Sequence, residues 1–185
     1  MKRILPLLAA LAAVPAALAA PAHWRSTGSS NVLHWTATWQ GTPVKGRFPD
    51  FAVKATIAPR APDGGAVTVD IDTTSVRSAS GDVTRAIRGK QWFDTADHPK
   101  ARFRGRITGK SGHLSLRGTL RLKGRDGKLD IPVTLAPGDG GTLVLSGHFR
   151  VKRNRYGIGT GKWESGAMIG QDVTVDFRVT LAKQG

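Results

Sequence analysis

Glu164 is the only glutamate of the chain, and the other twelve acidic residues are aspartates. Hydrolysis of a glycoside needs two carboxyl groups held across one bond, and no aspartate sits in an obviously apolar setting that would raise its pKa for that work. Asp70 and Asp72 lie two apart on one strand face. A hard cation needs more oxygen ligands than this pair supplies, so both read as solvated strand carboxylates. The histidines His23, His34, His98, His113 and His148 form no HExxH motif and no close pair, so metalloprotease chemistry has no ligand set. No serine stands in G-x-S-x-G, and the absence of cysteine excludes thiolate nucleophiles and Cys-ligated metals. Gly157-Ile158-Gly159-Thr160-Gly161-Lys162 resembles a phosphate loop only superficially. A Walker loop requires glycine where Tyr156 stands and Ser or Thr where Trp163 stands. These glycines read as bends.

The basic residues point outward rather than into a site. Lys and Arg number 28 against 13 acidic residues, a net charge of +15. Such a surface attracts anionic partners, although an arginine-rich composition with no selected partner accounts for it equally. Arg102, Arg104 and Arg106 share one strand face, and Arg117 and Arg121 share another. A single-stranded nucleic-acid groove interleaves aromatics with its basic stripe. Here the aromatics alternate onto the opposite face, which argues against nucleic acid.

What positions these side chains is a repeated two-residue alternation, the signature of strands with one buried and one wet face. It runs through Leu33–Trp39, Phe51–Ile57, Val67–Ile71, Phe103–Ile107, Leu114–Leu122, Leu129–Leu135, Leu143–Val151 and Val173–Leu181. Gly-rich breaks at 62–65, 108–112, 124–127 and 137–141 suit antiparallel hairpins. The expected fold is all-β, a single antiparallel barrel of about eight strands, with a two-sheet sandwich as the alternative. Val83, Ala86 and Ile87 instead follow helical spacing, so a short helix is expected between Ser80 and Trp92, capped by Ser80 or Asp82. Two irregular segments follow, Trp92 to Pro99 and the Gly-rich Gly157 to Ile169.

The amino terminus reads as a secretory signal. Lys2 and Arg3 precede an apolar run to Ala20, and Ala17-Leu18-Ala19 offers a peptidase site. Residues 1–19 are expected to be removed and 20–30 to be a flexible lead-in, leaving one domain over 31–185. A retained membrane anchor is the alternative for the apolar run. Without Lys2 and Arg3 the charge falls from +15 to about +13.

Several segments resemble the YceI family. Trp92-Phe93-Asp94 leading to Pro99 and Phe103 is similar to the family's aromatic-Phe-Asp element. Val44-Lys45-Gly46-Arg47-Phe48 is similar to its early G-x-F turn, and Leu114 to Gly124 to its G-x-L-x-(I/L)-x-G strand. Arg153-Asn154-Arg155-Tyr156-Gly157-Ile158-Gly159, followed by Trp163, is similar to its late R-x-x-(F/Y)-G-(I/V)-G element, and Gly170 to Val173 to its closing strand. The sequence departs from the pattern at Val83, Thr84, Ala86 and Lys123, where the family often carries polar groups including histidine.

The resemblance implies a lipocalin-like barrel with an apolar channel, exported to the periplasm or secreted. It implies a bound isoprenoid lipid or isoprenoid quinone rather than a covalent cofactor, and no enzymatic activity. The inward set mixes Phe51, Phe103, Phe149 and Phe177 with Ala55, Gly105, Gly118 and Gly147. That mixture either leaves a tunnel or interdigitates into a solid core. The candidate ligand contacts are Phe51, Phe103, Leu116, Leu120, Phe149 and Phe177 for the tail. Arg153, Arg155 and Tyr156 are the candidates for its head, with a structural, loop-tying arginine as the other reading of Arg153. Three function classes follow. The first is a carrier of an amphiphilic lipid of the quinone or isoprenyl phosphate type. The second is a basic module with a filled barrel, docking on an anionic membrane component or a b-type cytochrome. The third is a hydrolase, which lacks a visible nucleophile and base. Monomer and dimer are both open.

Overall fold

The computed structural model describes residues 20–28, 30–110 and 112–185. The proposed export signal lies outside these residues. Among them, eleven strands form one sheet: β1 (Ala22–Ser26), β2 (Val32–Trp39), β3 (Thr42–Arg47), β4 (Phe51–Ile57), β5 (Ala66–Asp72), β6 (Arg77–Ser78), β7 (Lys100–Lys110), β8 (His113–Leu122), β9 (Arg125–Pro137), β10 (Leu143–Lys152) and β11 (Asp172–Lys183). All pairings given by register are antiparallel, as the hairpin breaks anticipate.

Eight strands close into a ring in the order β1-β4-β5-β7-β8-β9-β10-β11, with β1 returning to β11. The sequence alternation gives the inner face correctly for every ring strand but β1. Phe51, Val53, Ala55 and Ile57 point inward along β4, for example, while Ala52 and Lys54 do not.

The segment 20–30, expected to be flexible, contains the strand that shuts this ring. β1 pairs with β4 through Trp24↔Ala55 and with β11 through Trp24↔Lys183. Trp24 is buried, and its indole N–H donates to the Ile57 carbonyl at 3.1 Å. Burial of this ring and the two ladders of β1 together offset the ordering cost of the strand.

β11 is longer than its neighbour β1, and its other half pairs with β2 (Val175↔Trp35, Phe177↔Leu33). The sheet therefore continues past the ring through β2, β3 and β6. The helix α1 (Gly81–Arg88) packs on this extension. Ser80 caps it, its hydroxyl accepting from the Val83 N–H at 3.3 Å. Ile87 is buried with Trp35 and Val76 in a small second core that includes Phe48, Trp92 and Phe93. This second core roofs one end of the barrel. Among the described residues no helix is long and apolar enough to cross a membrane.

Candidate ligand-binding cavity

Inside the ring the packing changes along the strands. At one end Ile57, Val67, Ile107 and Leu181 are fully buried among Trp24, Leu114 and Leu143. Towards the roof several inward residues are only partly buried, among them Phe51, Val69, Leu120, Leu129, Phe149 and Phe177. They surround a cavity of about 200 Å³ that reaches up to Trp92, Phe93 and Ile87 under the roof. Apart from His34, Thr73 and Arg153, its walls are apolar side chains.

The inward glycines do not open this space. A Cβ on Gly118 would lie 2.6 Å from both the Gly105 Cα and the Phe103 Cζ. A Cβ on Gly147 would lie 2.6 Å from the Phe177 ring. Each glycine is a shelf on which a phenyl ring lies, and the cavity is left by the stagger of large residues above that layer.

The tail candidates Phe51, Phe103, Leu116, Leu120, Phe149 and Phe177 all line the cavity. The structure separates the three head candidates. They sit on a 3-10 helical turn, Arg153–Tyr156, ended by Gly157 at φ 64°. Residues i and i+3 eclipse in such a turn, so Arg153 and Tyr156 face inward while Arg155 faces out. Arg153 is 3% exposed and borders the cavity. Its guanidinium donates to the carbonyls of Gly170, Ile158, Gly159, Trp163 and Ile169. A guanidinium has five N–H donors, and here every one is occupied. Burial lowers the Arg153 pKa, yet a guanidinium stays protonated. Arg153 is thus the clamp that folds the segment 158–170 over the cavity, the loop-tying role.

Arg155 and Tyr156 do not reach the cavity. Arg155 points outward and donates to the Lys128 carbonyl at 3.3 Å. Tyr156 is fully buried against Gly127, outside the cavity lining, with no partner for its hydroxyl in the described structure. Burial pushes its phenol above the usual pKa, the nearby Asp126 adding to this and Arg155 opposing it. The spacing of the R-x-R-Y segment cannot distinguish an inward from an outward arginine; the 3-10 geometry does.

Several residues singled out in the sequence have structural roles. Gly157, Gly159 and Gly161 all adopt positive φ, as bends do. Asp70 pairs with Arg102 across β5 and β7. Asp72 caps the short turn after β5, accepting from the Thr74 N–H at 2.9 Å. The Thr74 hydroxyl holds its carboxyl below the usual pKa, against the opposing effect of partial burial. Lys123, where the family often has histidine, donates to the carbonyls of Lys90 (2.6 Å) and Gly157 (2.9 Å) and ties the two roof loops together. Burial lowers its pKa.

Trp35 is a contact that sequence reasoning did not select. It lines the cavity, and its indole N–H is buried without a protein partner among the described residues. A tryptophan at the inward position of β2 is visible in the alternation, but its free donor is not. Among the described residues no carboxylate lines the cavity and no group of three or more metal-ligating side chains is assembled. The arrangement suits non-covalent enclosure of an apolar chain.

Three solved structures share the architecture. BcnA of Burkholderia cenocepacia superposes with a TM-score of 0.79 at 24% identity, over 85% of this chain and 99% of that one. A polyisoprenoid binding domain from Saccharophagus degradans, implicated in plant cell wall breakdown, gives 0.67 at 16% identity, over 87% and 98%. The Campylobacter jejuni YCEI protein gives 0.64 at 18% identity, over 77% and 85%. At these identities the likeness is one of fold. No curated protein matches the sequence. The YceI-like domain model matches residues 24–181, from the strand that closes the ring to the strand it closes on. The chain belongs to the YceI family.

Proposed function

We propose that this protein is an exported, non-enzymatic carrier that encloses the tail of an isoprenoid lipid, of the quinone or isoprenyl phosphate type, in the periplasm or outside the cell. The observation that carries this reading is the apolar cavity between a solid barrel end and an aromatic roof. Each methylene moved from water into such a site contributes about 0.8 kcal/mol. Phe51, Phe103, Leu116, Leu120, Phe149 and Phe177 form the walls for the tail. The cavity of about 200 Å³ is below the roughly 300–1,000 Å³ usual for drug-sized ligands. It therefore fits a slender chain, and a longer tail requires the phenyl rings above the glycine shelf to swing aside. With the Arg153 donors occupied, the Trp35 N–H is a buried donor free to meet a carbonyl or phosphate oxygen.

The name of the Saccharophagus relative, a polyisoprenoid binding domain, agrees with this choice of ligand. A second reading, docking on an anionic membrane component or a b-type cytochrome, is favoured by the charge of +15. The strand arginines that would serve it, among them Arg102, Arg117 and Arg121, lie on the outside of the barrel.

Native mass spectrometry of the mature protein, purified without detergent and followed by lipid extraction, tests the carrier reading. The expected result is one isoprenoid per chain. A mass that stays bare after incubation with isoprenoid quinones and isoprenyl phosphates would refute it.

A further inference from the structure

Large hydrophobic side chains are rarely left in water without a reason when they gather in one place. Among the described residues two are exposed, Trp39 at 39% and Met168 at 40%. They are far apart in sequence, and their backbones lie side by side. Trp39 bridges to Ile169, the Gln40 N–H donates to the Met168 carbonyl at 2.8 Å, and the Gly170 N–H donates to the Thr38 carbonyl at 2.8 Å. The hairpin between β2 and β3 is thereby fastened to the loop that Arg153 clamps, at the roofed end of the barrel.

From this patch a line of rings leads inward. Trp39 lies 5.9 Å from Trp163, Trp163 lies 6.0 Å from Trp92, and Trp92 lines the cavity. Lys162 sits over the Trp163 ring at 4.7 Å, placing a cation beside the patch. Indole rings with a neighbouring cation suit the boundary between lipid headgroups and acyl chains, where one part is apolar and the other wet. Two exposed side chains are too few for a stable protein interface, which covers about 800 Å² on each partner. A bilayer needs only a shallow anchor, and anionic headgroups are drawn to a chain that keeps a charge of about +13 without Lys2 and Arg3. Glu164, next to Trp163, is the acidic exception at this site.

We propose that Trp39, Trp163 and Met168, with Lys162, form a docking patch for bilayers containing anionic phospholipid, setting the roofed end of the barrel against the membrane. The inference rests on the carrier reading for its purpose: a tail leaving the bilayer would pass into the cavity without crossing water. Trp39 and Met168 do not line the cavity, so they can be altered without touching the ligand walls.

The test is co-sedimentation of the mature protein with vesicles of phosphatidylcholine alone and of phosphatidylcholine with phosphatidylglycerol. Wild type is expected to bind the anionic vesicles, less so in high salt, and brominated acyl chains should quench its tryptophan fluorescence. The double variant Trp39→Ser/Met168→Ser should lose about tenfold in vesicle partitioning while keeping its ligand by native mass spectrometry. Lys162→Gln should lose about fivefold. Wild type that ignores anionic vesicles, or that binds without bromine quenching, overturns the docking patch, as does a double variant that binds as well as wild type. The two readings fail separately. Full ligand occupancy without vesicle binding removes the patch alone, and vesicle binding by a chain that never carries ligand removes the carrier reading alone.

Discussion

The two ends of this barrel are built from the same strands and packed differently. Along β4, Ile57 is fully buried at one end, while Phe51 at the other faces open space and is only partly covered. β11 repeats the contrast, with Leu181 fully buried and Phe177 partly buried. The filled end is closed by β1 and the Trp24 ring. The hollow end is spanned by a separate roof, made of α1, the Trp92-Phe93 segment and the Arg153-clamped loop. Packing is thus dense at one level of the ring and open at another, and the roof is held by its own small apolar core and the Arg153 bonds rather than by filling the space beneath it.

The largest effect is expected where the roof is clamped. Arg153→Leu leaves the five carbonyls of Gly170, Ile158, Gly159, Trp163 and Ile169 without their donor. Unsatisfied buried acceptors are costly, so urea denaturation should show a loss of about 4 kcal/mol and ligand occupancy should fall. Arg153→Lys should recover little, because one ammonium cannot reach five acceptors. A near-neutral Arg153→Leu would mean that the roof does not depend on the clamp.

Next comes a matched pair of leucines. Leu181→Ala in the filled end should cost about 3 kcal/mol and leave ligand stoichiometry unchanged. Leu120→Ala in the hollow end removes a side chain that already borders empty space, so its cost should be nearer about 1 kcal/mol, with room for a bulkier tail. Equal costs in urea denaturation would erase the distinction between the ends.

The smallest effect is a titration. Tyr156 is the single tyrosine of the chain, so its ionisation can be read alone by ultraviolet absorbance. Its folded pKa is raised above the ordinary value of 10.0. Below that pH neither state is ionised and its full contribution to stability is present. Above it the unfolded chain loses the proton first, and stability declines until the folded pKa is passed. The tyrosinate band should therefore appear at higher pH in the native protein than in urea. Coincident titrations would place Tyr156 in solvent.

The barrel was legible because period two survives any tertiary arrangement. The inner faces of the eight strands with long alternating runs follow from sequence alone. β1 was missed although Ala22, Trp24 and Ser26 do alternate with His23 and Arg25, because five residues after a signal-like segment carry little periodic weight. The level at which the barrel empties was not legible, since it depends on which ring lies over which glycine on a neighbouring strand, as Phe103 does over Gly118. The six tail candidates follow directly from inward alternation. Arg155 and Tyr156 lie off the cavity, a placement set by the 3-10 turn that the R-x-x-Y-G motif does not reveal.

The central claim, that a hollow end above a filled end receives an extended apolar tail, is tested most directly by calorimetric titration with isoprenoids of increasing length. Affinity should rise with each added unit, at up to about 0.8 kcal/mol per buried methylene. It should then level off once the tail meets the floor formed by Ile57, Ile107 and Leu181. Affinity independent of chain length, or no binding at any length, would contradict the account.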